Sequence, residues 1–124
     1  MEDGIRQSYK DEQAGLLEQA LTLPLPDAVF TIVHYNDHRR RMGPRPHCDP
    51  IDFSVLYDSY DPNEVEEWRI KAQKLRNDAY SVGDASLRRD GTYDLLRAEY
   101  EATHPGFMPK TYQDAVGFGM WLAR

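Results

Sequence analysis

At 124 residues and 14.4 kDa the chain has the length of one domain, and a domain of that size buries roughly two-thirds of its unfolded surface without disulfide or metal staples. With 40% hydrophobic and 29% charged residues, including 8 Tyr, 4 Phe and 2 Trp, the composition excludes disordered and fibrous classes. A formal net charge of −6 speaks against general binding to nucleic acid or anionic membrane, which needs positive surface.

The single cysteine, Cys48, has no partner for an internal disulfide. The opening Met1-Glu2-Asp3-Gly4 is acidic with no apolar run behind it, so it does not read as a secretory leader. The longest apolar stretch, 28–33, is broken by Thr31 and too short to span a bilayer. These features lead to the expectation of a cytoplasmic protein.

The first predicted helix covers residues 8–23. Ser8 is its cap, Asp11 follows three residues on, and Leu16, Leu17, Ala20 and Leu21 make an apolar stripe that Pro24 and Pro26 end. Residues 28–58 read two ways. The β-branched and aromatic run 27–35, with Ile51, Phe53, Val55 and Tyr57 alternating against polar neighbours, suggests a short β-hairpin. Pro26 at a first-turn position and Asp49-Pro50 as a cap-and-start pair suggest two helices instead.

The clearest element follows Asp61-Pro62-Asn63-Glu64, which supplies a cap, a first-turn proline and a carboxylate at the positive end of the dipole. Val65, Trp68, Ala72, Leu75, Ala79 and Val82 then recur at helical spacing, and Gly83 is the expected stop. A further helical region starts at Asp84 and is weakened by Gly91. Its stronger piece, 92–103, is expected to bury Leu95, Leu96, Ala98 and Tyr100 before His104-Pro105-Gly106 ends it. The last helix, 111–124, opens on a capping-box-like Thr111-x-x-Asp114. It carries Tyr112, Ala115, Val116, Phe118, Met120, Trp121 and Leu122, more apolar surface than one stripe can bury. Gly117 and Gly119 within it suggest close approach of another backbone. The expected fold is one mainly α domain over residues 1–124, a compact bundle of four to five helices; a hairpin in residues 28–58 would make it α+β.

Three groups of residues could carry function. His34, His38, His47 and Cys48 fall within fifteen residues, and His34 and His38 at i,i+4 have the spacing of helical zinc ligands. Adjacent His47 and Cys48 would need a turn to aim both side chains at one ion, and the arginines nearby oppose a dication, so a solvated polar loop is the blander reading. Next, Arg39, Arg40, Arg41 and Arg45 lie in a stretch, 38–47, that holds no acid. Arginine offers bidentate geometry for phosphate or carboxylate, but no aromatic residue interleaves the run, which speaks against nucleic acid as a partner. Directly after it, residues 49–67 contain seven acids, Asp58 and Asp61 among them, and no Lys or Arg. Their spacing does not match a calcium loop.

Phosphate-binding loop, dinucleotide-binding, serine-nucleophile and helical zinc-protease motifs are all missing. Enzyme chemistry therefore has no support, and the expectation leans to a small non-enzymatic regulatory, inhibitor or adaptor protein. It would bind another protein through segregated charge (Arg39, Arg40, Arg41 and Arg45 against Asp58 and Asp61) and through Phe118 and Trp121, with a homodimer across the last helix as one form of that pairing. A zinc module and a nucleic-acid binder are the alternatives. No cofactor is expected beyond that zinc, and no membrane partner.

Overall fold

The computed structural model describes residues 2–39, 49–89 and 91–124, with backbone alone for 2–9 and 39. The protein is mainly α: five α-helices and no strand are present among the described residues. Contacts divide the chain into two compact units, Met1–Arg69 and Ile70–Arg124.

In the first unit, α1 (Glu2–Ala20) packs on α2 (Leu25–His34). Helix α1 starts six residues before the expected cap at Ser8. No proline interrupts residues 2–8, and Glu2 and Asp3 favour the positive end of the helix dipole. It also ends earlier than residue 23. There the chain tightens through Thr22 N–H and Leu23 N–H donating to the carbonyls of Gln19 and Ala20, at 3.1 and 3.0 Å. Pro24 then caps α2 in an extended conformation, with Pro26 in its first turn.

The hairpin expected in residues 28–58 does not form in the parts of it that are described. Residues 27–34 are helical, and Ala28, Val29, Phe30, Ile32 and Val33 are all buried. A helix covered nearly all round selects Val and Ile as a buried strand does, so composition mimicked β structure. Helix α2 runs on into a π-helical segment, Tyr35–Arg39. The second supposed strand is a 3₁₀ turn, Phe53–Leu56, capped by the Asp52 carboxylate accepting from Ser54 N–H at 2.9 Å. Burial alternates from Ile51 to Val55, but the alternation breaks at Leu56, which is buried, and at Tyr57, which is 45% exposed. The Asn36 amide meets the Ile51 backbone where a strand partner would: Nδ2 donates to the carbonyl at 3.0 Å and Oδ1 accepts from N–H at 2.8 Å.

Helix α3 (Pro62–Leu87) opens as the sequence reads: Asp61 Oδ1 accepts from Asn63 N–H at 2.8 Å and Pro62 takes the first position. Of its stripe, Val65, Ala72, Leu75 and Ala79 are buried and Trp68 and Val82 half-buried. Gly83 does not stop it.

Within the second unit, Gly83 lies where α3 meets the backbone of α5 (Pro109–Ala123). A Cβ on Gly83 would stand 2.6 Å from the Gly119 carbonyl oxygen, and one on Gly119 would collide with the Ala79 carbonyl. Gly83 is thus a notch for a helix crossing and not a cap. After Leu87 the chain turns through Arg89 at φ 59, and Thr92 caps α4 (Tyr93–Thr103) by accepting from Leu95 N–H at 3.4 Å. The buried side of α4 is narrower than expected. Leu96 is half-buried and Tyr100 and His104 are buried, one turn apart, whereas Leu95 is 66% exposed and Ala98 also faces outward. Helix α5 starts at Pro109 with Met108 as cap, so Thr111 is interior and buried, and Asp114 pairs with Lys110 at 2.9 Å instead of closing a capping box. A proline preset for the first turn decides the boundary.

Candidate functional site

The histidine group is only partly in view. Phe30, His34 and His38 form a ladder of stacked rings along one side of α2 and its π-helical extension, with centroids 5.7 and 5.2 Å apart. Stacking turns ring faces towards each other. His47 and Cys48 lie outside the described residues, as do Arg40, Arg41 and Arg45, and Arg39 is described by its backbone alone. Among the described residues no group of three or more His, Cys, Asp or Glu could hold a metal ion.

Much of the acidic stretch is engaged in local structure. Asp52 and Asp61 are caps, and the backbone N–H and hydroxyl of Ser54 hold the Asp52 carboxyl below its usual range. Glu66 takes both arms of Arg69, at 2.8 and 2.7 Å, which lowers its carboxyl and raises the guanidinium. Asp58 is exposed in the turn that follows the 3₁₀ segment.

The two aromatic positions singled out on the last helix do come together. Phe118 and Trp121 stack at 6.3 Å with ring planes 22° apart, and the Arg76 guanidinium of α3 sits 4.2 Å above the Phe118 ring. Phe118 is half-buried, whereas Trp121 and the adjoining Leu122 are each 46% exposed. A cation–aromatic–aromatic ladder thus rises from the helix contact to the surface.

A third grouping lies at the corner His104-Pro105-Gly106-Phe107 and Thr111-Tyr112, which the sequence marks as a specific turn between helices without a function. His104 Nε2 donates to Asp78 Oδ2 at 3.0 Å, with His104 buried and the Asp78 side chain half-exposed. Tyr100 meets the His104 ring edge-on at 5.1 Å and donates its hydroxyl to the Leu75 carbonyl. Burial, with Asp78 and then Tyr112 adding to it, pushes the Tyr100 hydroxyl well above its ordinary value. The Tyr112 hydroxyl donates to the His104 carbonyl at 2.5 Å and accepts from Phe107 N–H at 3.3 Å. Tyr100 and His104 form an i,i+4 pair, whereas Asp78 and Tyr112 arrive from other helices. Two cavities flank His104. One, about 200 Å³, is lined by Lys71, Lys74, Thr103, His104, Pro105 and Phe107. The other, about 290 Å³, includes Asp78, Ser81, Glu99 and Tyr100.

Comparison with protein-family models, with curated proteins and with solved structures finds no match. No helix among the described residues is long and apolar enough to cross a membrane.

Proposed function

We propose that this chain is a non-enzymatic regulatory, inhibitor or adaptor protein that works by binding another protein, anchored on the exposed end of α5. The observation that supports this reading is the ladder of Arg76, Phe118 and Trp121, which ends in a tryptophan and a leucine each 46% exposed. Tryptophan and arginine dominate the energetic centres of protein interfaces, and a side chain already held by stacking loses little freedom on binding. Arg39, Arg40, Arg41 and Arg45, followed in sequence by the acids that include Asp58 and Asp61, supply charge of both signs to steer encounter. The lone Cys48 fits a reducing, cytoplasmic setting.

The test is affinity capture from the native host with the wild-type chain and Trp121→Glu side by side. A partner held by the first and lost by the second, with the fold intact, supports the reading; a partner list that Trp121→Glu leaves unchanged refutes the anchor. A second copy of the chain is the other occupant that the same patch suits, in a two-fold homodimer. Light scattering separates the two: a 14.4 kDa species at high concentration excludes the homodimer.

A further inference from the structure

Two glycines of α5 have opposite surroundings. Gly119 is buried against the main chain of Ala79, whereas Gly117, on the other side of the helix, is exposed, and among the described residues nothing lies within 4 Å of a Cβ built on it. Glycine is a poor helix former, and packing within the described chain gives no reason for one at 117. Gly117 belongs to a row of exposed residues, Lys110, Asp114, Gly117, Trp121 and, just past the helix end, Arg124. Their spacings of four, three, four and three are those of a seam along which two helices pack, large side chains of one seating between residues of the other.

The row is complementary to itself when a copy runs the other way. In a two-fold contact, residue i meets residue j and j meets i. Centred between Gly117 and Trp121, such a contact sets Gly117 opposite the copy's Trp121 and Asp114 opposite the copy's Arg124, each pairing occurring twice. The bare backbone at Gly117 leaves room for an indole, and any side chain there would hold the helices apart. Trp121 is 46% exposed and already steadied by its stack on Phe118, so it loses little freedom on docking. Asp114 takes Lys110 at 2.9 Å, and a carboxylate has acceptor sites for a guanidinium as well. A parallel pairing would instead set Asp114 against Asp114 and Arg124 against Arg124. We propose that a second copy of the chain docks antiparallel on this row, its Trp121 seated at Gly117 and its Arg124 beside Asp114. The inference rests on the reading of α5 as a binding face and adds a regulation to it: self-pairing covers the tryptophan that anchors another protein, so the two compete. A contact along a helix of 15 residues, about 22 Å, is at the small end of interface sizes, so the dimer is weak and dissolves on dilution.

Sedimentation of the full chain over a concentration series is the test. Wild type should pass from a 14.4 kDa monomer at low micromolar concentration to twice that mass at high micromolar. Gly117→Gln, a better helix former, should melt no lower than wild type yet dimerise at least about tenfold more weakly. Asp114→Arg and Arg124→Asp, each setting like charges opposite one another, should weaken the dimer by a similar factor, and mixing the two variants should restore it. All three positions are exposed, so the variants should keep the fold, which circular dichroism checks. A wild type that stays monomeric throughout overturns the proposal, as does a dimer that Gly117→Gln leaves unchanged or that the mixed charge variants do not restore. Monomer at every concentration with a partner still captured through Trp121 overturns this inference alone, whereas a dimer that obeys the charge rule while capture ignores Trp121→Glu supports it and refutes the partner anchor.

Discussion

Asn36 satisfies both backbone hydrogen-bonding groups of Ile51 with a single side chain, donating to the carbonyl at 3.0 Å and accepting from the N–H at 2.8 Å. A primary amide sets an N–H donor beside a carbonyl acceptor at the spacing of a peptide group, so it stands in for a neighbouring strand. It thereby ties the end of α2 to the segment before the 3₁₀ turn across fifteen residues of sequence, nine of them outside the described structure.

Replacing that amide should be expensive for a partly exposed position. Asn36→Ala removes two hydrogen bonds and leaves both groups of Ile51 to water or to nothing, a loss of about 2–3 kcal/mol. Asn36→Asp keeps the acceptor but sets a carboxylate against the Ile51 carbonyl, so it should lie nearer Ala than wild type. Urea unfolding of the two variants checks both statements; a loss below about 0.5 kcal/mol in Asn36→Ala would show that the clamp contributes nothing.

The glycines of the second unit should split by environment. Gly83→Ala and Gly119→Ala each force a methyl group into the backbone of the opposing helix and should cost about 3 kcal/mol or more, since neither backbone can yield as a side chain would. At Gly117 nothing lies within 4 Å of a built Cβ, so Gly117→Ala should stabilise by up to about 1 kcal/mol through helix propensity alone. Thermal melts of the three variants decide the matter by sign.

Leu75 and Leu95 form a matched pair of opposite burial, 0% and 66% exposed. Leu75→Ala should cost about 2–5 kcal/mol, as core truncations do, while Leu95→Ala should stay within about 0.5 kcal/mol. Equal losses in denaturant titrations would contradict the narrow buried side of α4.

The alkaline limb of stability should report on Tyr100. Its hydroxyl is held in the protonated form more strongly in the folded protein than in the unfolded chain, whose phenols titrate near the ordinary 10. The stability it contributes is therefore complete below about pH 10 and declines as pH rises beyond, because the unfolded state releases its proton first. Tyr100→Phe should lower stability at neutral pH, by loss of the bond to Leu75, and flatten the slope above about pH 10. An unchanged alkaline slope in Tyr100→Phe would assign it to other groups.

Helix α3 was legible in the sequence because one face is wet: Val65, Ala72, Leu75 and Ala79 repeat against polar neighbours, and Asp61-Pro62 marks the start. Helix α2 was not, because covering Val29, Ile32 and Val33 together erases the periodicity that separates helix from strand. The register of α4 failed for a related reason. Leu95 and Leu96 are adjacent, and nothing local says which turns inward. Phe118 and Trp121 could be picked out from an apolar excess along α5, but Arg76 above them could not, since it arrives from a different helix. The same holds for His104, whose contact with Asp78 spans twenty-six positions. Asp61 could be read as a cap from the proline that follows it, whereas the bond from Ser54 N–H to Asp52 could not, because no helix signal marks that turn.

The missing side chains at Gly83 and Gly119 also act as a key. Sliding α5 along α3 by one turn would bring Ala115 or Ala123 to the place of Gly119, and either methyl group would strike a main chain that has no slack. A one-turn slip in either direction is therefore penalised by shape before any attraction favours the observed pairing. Trp121, two residues beyond Gly119, inherits that precision: the register in which it stacks on Phe118 under Arg76 is set by one missing methyl group on α5 and one on α3.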